Sequence, residues 1–104
     1  MIYELRTYKI VVGAMPLFLE IVAKERLPIL ADHGLVPLGF WYTEIGNVSE
    51  VVHLWAHTDL NQRQARWGAD SRDPRTAKLM PKVAPMILEM TNKILSPTEF
   101  SPMK

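Results

Sequence analysis

The stretch from Gly39 to His57, GFWYTEIGNVSEVVHLWAH, constrains the fold of this chain more than any other. Gly46-Asn47-Val48-Ser49 has the composition that reverses a hairpin, and β-prone residues alternate on either side of it. Pairing Ile45 with Glu50 across that turn sets Thr43 opposite Val52, Trp41 opposite Leu54 and Gly39 opposite Ala56. The other face then pairs Glu44 with Val51, Tyr42 with His53 and Phe40 with Trp55, because successive side chains point to opposite sides of a strand. One face is a plain packing surface. The other mixes aromatic rings with titratable groups, as the wall of a pocket or a polar interface does.

The flanking segments supply partners for this hairpin. Ile2–Lys9 alternates as a strand, with Tyr3, Leu5 and Thr7 on one face and Glu4, Arg6 and Tyr8 on the other. Ala14–Asp32 has helical spacing, with Met15, Phe18, Leu19 and Val22 on one side. Pro28 predicts a kink near its end and Gly34 a stop. Strands are expected over Leu35–Ile45 and Glu50–Thr58. Asp59 caps a second helix to about Ala69, with Gln62 reaching back. Asp73-Pro74 restarts a short helix toward Met80, closed by Pro81 and Pro85, and Met86–Leu95 reads as the last strand. In that strand Met86, Leu88 and Met90 share one face, and Ile87, Glu89 and Thr91 the other.

The order βαββαβ predicts an α+β, ferredoxin-like fold, a four-stranded antiparallel sheet with both helices on one face. No element remains to cover the second face. Tyr8, Phe40, Tyr42 and Trp55 are too apolar to leave in water as one patch, so a second copy of the sheet is the simplest cover. The sequence thus predicts a homodimer with two sheets face to face.

At 104 residues the chain makes one domain, 1–104. A net charge of +1 with acids and bases interspersed gives no electrostatic case for nucleic acid or a membrane surface. With no cysteine there are no disulfides, thiolate metal sites or cysteine nucleophiles. MIYELRTYKI lacks the apolar run of a signal peptide, and no segment approaches the ~20 apolar residues of a membrane span. A cytoplasmic protein is the expectation.

His53 is the leading candidate for chemistry, as a general base near neutral pH or a ligand through one nitrogen. The plainer reading makes it a hydrogen-bonded histidine in the dimer interface. His57 lies four positions on, about 13 Å along a strand, too far for one ion held at about 2.1 Å from each nitrogen. No metal site is expected, and no phosphate loop, nucleophile elbow or zinc signature appears. The sequence requires no cofactor and nothing in it singles out haem. Arg6, beside Glu4 and Tyr8, offers a planar fork for a carboxylate ligand, or an ion pair with Glu44 or Glu89 across the dimer interface. Trp41 is expected to face the helices and Trp67 to pack beneath them. Arg63 and Arg66, with Asp70 and Asp73 nearby, read as a solvated helix face.

Several segments carry a resemblance. They are Tyr3-Glu4-Leu5-Arg6-Thr7-Tyr8, Gly39-Phe40-Trp41 with Glu44-Ile45-Gly46, Val52-His53-Leu54-Trp55, Arg63, Asp73-Pro74, and Leu95-Ser96-Pro97-Thr98 with Phe100-Ser101-Pro102. In this order they resemble a small NIPSNAP-family protein of the dimeric α/β-barrel superfamily, with a departure at Gly68–Ser71, a weaker helix than the family pattern. The resemblance implies fold and dimerisation. It brings no agreed reaction and no established catalytic residues, and the family's eukaryotic relatives are linked to mitochondria and organelle turnover. The superfamily holds cofactor-independent oxygenases, haem-degrading enzymes, chlorite dismutases and lactone isomerases, an association of architecture alone.

Two readings follow. In the first, each subunit has a cavity for a small apolar or aromatic molecule. If it is an enzyme, it is an isomerase or cofactor-independent oxygenase, with His53 as base and Arg6 and Tyr42 orienting the substrate. Phe40, Trp55 and Tyr8 then form the aromatic wall. In the second, the chain is a non-catalytic protein-interaction module whose sheet face is filled by dimerisation. In either, the proline-rich tail from Ser96 is expected to fold back and dock Phe100 on its own or the partner subunit.

Overall fold

The computed structural model describes residues 1–104. Strands β1 (Ile2–Ile10), β2 (Gly39–Tyr42), β3 (Glu50–His57) and β4 (Ile87–Leu95) form one antiparallel sheet in the order β2-β3-β1-β4. Helices α1 (Met15–Ile21) and α2 (Leu27–Ala31) are joined by a π-helical turn, Val22–Arg26, and α3 (Leu60–Ser71) and α4 (Pro74–Val83) follow β3. All pack on one face of the sheet, in the expected βαββαβ order. No helix is long and apolar enough to cross a membrane.

The alternation read along β3 is reproduced. Val51, His53, Trp55 and His57 are buried, whereas Glu50, Val52, Leu54 and Ala56 are half-buried. Direct cross-strand partners share a face, so Glu4 (opposite Trp55), Arg6 (opposite His53) and Tyr8 (opposite Val51) lie on the same side. That side is the one the helices cover. Its main core joins Ile10 and Val51 to Phe18, Val22, Ile29, Leu79 and Val83, and a smaller one joins Trp55 to Leu30 and Leu35.

The expected orientation of the sheet is therefore reversed. The face bearing Tyr8, Phe40 and Trp55 is packed within the chain, and the opposite face carries Leu5, Thr7, Trp41, Val52, Leu54 and Ala56, with Tyr3 buried at its end. Burial falls to the polar face because Glu4, His53 and His57 find hydrogen-bond partners there, which removes the penalty of desolvating them. Trp41, expected under the helices, is 53 % exposed on the open face and lies across Gly39, where any Cβ would sit inside the indole.

The hairpin register also differs, by two residues. Phe40 opposes His53 and Trp41 opposes Val52, because the loop takes Glu44–Ser49 instead of Gly46–Ser49. Thr43 N–H donates to Glu50 O at 3.0 Å, Asn47 Oδ1 accepts from Ser49 N–H at 3.3 Å, and Gly46 adopts φ +116°. A slip of two preserves the faces, so the division of chemistry survives it.

Pro28 does not simply kink its helix. It has no N–H, and its ring crowds the carbonyl four residues back. The turn ahead of it widens, and Leu27 N–H reaches Val22 O, five residues back. Gly34 closes the helix at φ +77°, with Leu35 N–H donating to Leu30 O at 3.0 Å. Asp59 caps α3 by accepting from Gln62 N–H, while Gln62 Oε1 accepts from Thr58 N–H at 2.7 Å. The helix continues to Ser71 despite Gly68. Helix α4 runs through Pro81 to Val83, because Leu79 and Val83, one turn apart, are both buried. A bulge opposite Lys9 and Ile10 turns Ile87 into the core while Glu89 pairs with Lys9, so these two do not share a face. Phe100 is 87 % exposed, so it does not dock on its own chain.

Candidate functional site

Between the buried sheet face and the helices lies a cavity of about 490 Å³, within the roughly 300–1,000 Å³ typical of small-molecule pockets. Arg6 and Tyr8 come from β1, Phe40 from β2, and His53 and Trp55 from β3. The opposite wall is helical, with Arg26 from the π turn, Arg63, Trp67 and Asp70 from α3, and Thr76 and Met80 from α4. Ser71, Ala77 and Met90 line it yet remain exposed, which marks where it meets solvent.

His53 is 2 % exposed and held on three sides. Phe40 stacks on its ring at 4.4 Å and 7°, and Tyr8 meets it edge-on at 4.7 Å and 87°. Its Nδ1 accepts from Trp55 Nε1–H at 2.7 Å, which fixes the ring's proton on Nε2. That Nε2–H is buried and has no partner. Burial, reinforced by the Arg6 charge, pushes the imidazole pKa down to about 3. At neutral pH this ring is uncharged, its lone pair is engaged, and it offers a donor.

Glu4, on the same face, is 0 % exposed and its oxygens are saturated. Oε1 accepts from Trp67 Nε1–H at 2.9 Å and from His57 Nε2–H at 3.1 Å. Oε2 accepts from Arg63 Nη2 at 2.8 Å and Asn92 Nδ2 at 3.0 Å. Burial alone would raise its pKa, but donation from Arg63 and Trp67, the Arg6 charge and Asn92 together lower it to about 2. Burial lowers the His57 pKa, with Glu4 opposing. Arg6 is 3.8 Å from Glu4 Oε2, beyond hydrogen-bonding reach, and its guanidinium lies over Trp67 at 4.4 Å and Tyr8 at 5.5 Å. Its Nε is buried without a partner, as are Arg63 Nε and His57 Nδ1.

The far end of the cavity is closed electrostatically. Arg26 donates through Nη1 to Asp70 Oδ1 at 2.9 Å and through Nη2 to Oδ2 at 2.6 Å. Thr76 Oγ1–H donates to Asp70 Oδ1 at 2.8 Å. Burial would raise the Asp70 pKa, but Arg26 and Thr76 lower it. Beneath this pair, Asp73 caps α4, binds Arg75 and bonds His33 Nε2 at 2.8 Å, and these contacts lower its pKa.

Of the residues singled out in the sequence, Arg6, Tyr8, Phe40, His53 and Trp55 come together here. Tyr42 does not; it is 55 % exposed at the end of β2. Arg63 is no solvated helix residue but the main partner of Glu4, and within the chain Glu89 pairs with Lys9. Sequence reasoning missed Arg26, Asp70 and Thr76 and gave Trp67 a packing role alone. A signal existed. Arg26 falls four after Val22 and three before Ile29, on the buried stripe of its helix, and Arg63, Trp67 and Asp70 share one stripe of α3.

The NIPSNAP family model matches residues 3–102. The chain belongs to the NIPSNAP family. It is 31 % identical over 101 residues to Protein NipSnap of Drosophila melanogaster, covering 97 % of this chain and 36 % of that protein. NipSnap homolog 2 of Homo sapiens is 31 % identical over 103 residues, 99 % of this chain and 35 % of the relative. The chain thus spans about a third of the length of these NIPSNAP relatives. A crystal structure from Agrobacterium tumefaciens superimposes with TM-score 0.94 and 38 % identity, covering 100 % of both chains. A NIPSNAP domain protein from Burkholderia xenovorans gives 0.91 and 31 %, over 98 % of this chain and 99 % of that one. The fold extends further, since a putative antibiotic biosynthesis monooxygenase from Nitrosomonas europaea matches at TM-score 0.68 with 11 % identity, over 93 % and 98 % of the two chains. At that identity only architecture is shared.

Proposed function

We propose that the sheet–helix cavity of this NIPSNAP domain binds a small molecule with an apolar or aromatic body, received by His53. The observation that carries this reading is the His53 Nε2–H, buried and unpartnered in a cavity walled by Phe40, Tyr8 and Trp55. Buried donors are almost always satisfied, and an orphan in the wall of a cavity calls for an acceptor from outside the chain. Binding has more support than base catalysis. The His53 lone pair is occupied by Trp55, and the carboxylates of Glu4 and Asp70 are fully engaged. For isomerase or cofactor-independent oxygenase chemistry, the proposed part of His53 and Arg6 is to hold a substrate oxygen, the substrate arriving already ionised.

The test is a thermal-shift series on the wild type with 2-naphthol, 2-naphthamide and 2-naphthoate. At least one should raise the melting temperature by mass action, and Met80→Trp, which fills the cavity, should abolish the rise. No shift with any of the three would sink the binding reading.

The open face supports a second element of the reading, a homodimer. Leu5, Trp41, Val52, Leu54 and Ala56 form a largely apolar sheet surface that the chain covers only in part, and Phe100 stands exposed in the tail that follows β4. In the alternative, a protein-interaction module, these same features recruit another protein and the cavity stays empty.

A further inference from the structure

Charge does not balance around the cavity. Where β1 meets α3, two guanidiniums, Arg6 and Arg63, face one carboxylate, Glu4. At the other end Arg26 and Asp70 cancel in a two-point pair. His53 adds no charge at neutral pH. The surplus positive charge sits on Arg6, because Arg63 holds the short bond to Glu4 at 2.8 Å while Arg6 stands off at 3.8 Å. The Arg6 side chain is only 17 % exposed, so water screens it poorly, and the rings of Trp67 and Tyr8 compensate it only in part.

Arg6 is also the direct cross-strand partner of His53. Two buried nitrogens without partners, Arg6 Nε and His53 Nε2, therefore come from neighbouring positions on adjacent central strands. Both are donors. The walls beside them are aromatic.

We propose that the cavity is a carboxylate site, taking a small monocarboxylic acid with a flat aromatic or apolar body. This rests on the binding reading above and names its ligand class. One carboxylate oxygen accepts from His53 Nε2–H and the other meets the Arg6 guanidinium, whose planar fork suits that group. The body of the ligand lies against Trp67, Phe40 and Met80. A neutral ligand leaves the Arg6 charge unmatched. A phosphate dianion carries more charge than the single surplus cation offsets, and a cation is repelled outright.

The experiment is calorimetric titration of the full chain at pH 7 with 2-naphthoate and with its neutral isostere 2-naphthamide. The wild type should bind the carboxylate on the order of tenfold or more tightly than the amide. Arg6→Gln should bring the two within about twofold, and Arg6→Lys should keep part of the preference. Equal affinities in the wild type, or a preference for the amide, would overturn the carboxylate assignment and leave the binding reading standing. Binding of neither probe would overturn both. If Arg6→Gln does not fold, the wild-type ratio decides the matter, since it needs no variant.

Discussion

Glu4 and His53 lie on the same face of adjacent central strands, both buried to within 2 % of completely, and they are treated in opposite ways. Around Glu4 every oxygen is taken, by donors from α3, β3 and β4. Around His53 one nitrogen is tied to Trp55 and the other is left bare. The difference separates a polar group that holds a fold together from one that waits for something outside the chain. Burial and charge alone do not separate them; the count of partners does.

The largest expected effect breaks the Glu4 side of this contrast. Glu4→Gln leaves Arg63 and Arg6 facing each other without a counter-charge, and urea titration should show a loss on the order of 3 kcal/mol. A loss below about 1 kcal/mol would mean that the network contributes little and that Glu4 is no different in kind from His53.

A smaller loss is expected at His53. His53→Phe keeps the stack on Phe40 but leaves Trp55 Nε1–H without its acceptor, at about 1–3 kcal/mol. In a double-mutant cycle with Trp55→Phe, about 1 kcal/mol of that loss should be coupling. Zero coupling would mean the bond to Trp55 does not orient the ring. The same variant has a pH signature. His53 takes up its proton at about pH 3 in the fold and near 6.5 when unfolded. The unfolded state protonates first as pH falls, so this contribution to stability is complete above about 6.5 and is lost toward about 3. Glu4, depressed from 4.5 to about 2, acts in the same direction but only below 4.5. His57, also depressed by burial, contributes with the same sign. Between pH 6.5 and 5, His53→Phe should therefore flatten the stability curve by up to about 1.4 kcal/mol per pH unit without abolishing its slope. An unchanged slope would show that His53 is not buried neutral.

The smallest effect is expected outside the contrast, at the tail. Removing Ser96–Lys104 should lower the melting temperature of dilute protein by less than the ~4–8 °C that corresponds to 1 kcal/mol, because Phe100 is exposed. A loss that grows with protein concentration, matched by a change in sedimentation, would put Phe100 against a second copy.

The sheet, its strand neighbours and the division of residues between its faces were legible because a period of two survives a register slip of two. Which face the helices cover was not legible. Glu4, Arg6, His53 and His57 look like solvent-facing residues until their partners are counted, and Arg63, Trp67 and Asn92 reach Glu4 across 59, 63 and 88 positions of sequence. Leu5, Val52, Leu54 and Ala56 look like core for the mirror-image reason. Five of the six candidate cavity residues were found because they share that face. Tyr42 failed only by its place at the strand's end. The spacing of Arg26 and Asp70 marks each as inward-facing on its own helix, but their pairing was hidden, since two residues 44 positions apart leave no shared local pattern.

The π turn at Val22–Arg26 means that the first helix holds one residue more than an α-helical path between the same endpoints needs. Each residue of an α-helix advances its side chains by about 100° around the axis. That extra residue is thus an angular offset written into chain length. Phe18 faces the core before the turn, Val22 opens it, Arg26 meets Asp70 at its end, and Ile29 and Leu30 are buried after it. A chain one residue shorter here would run as plain α-helix between the same endpoints, leaving Phe18 and Ile29 on the core and moving only the residues of the turn, Arg26 among them, relative to Asp70.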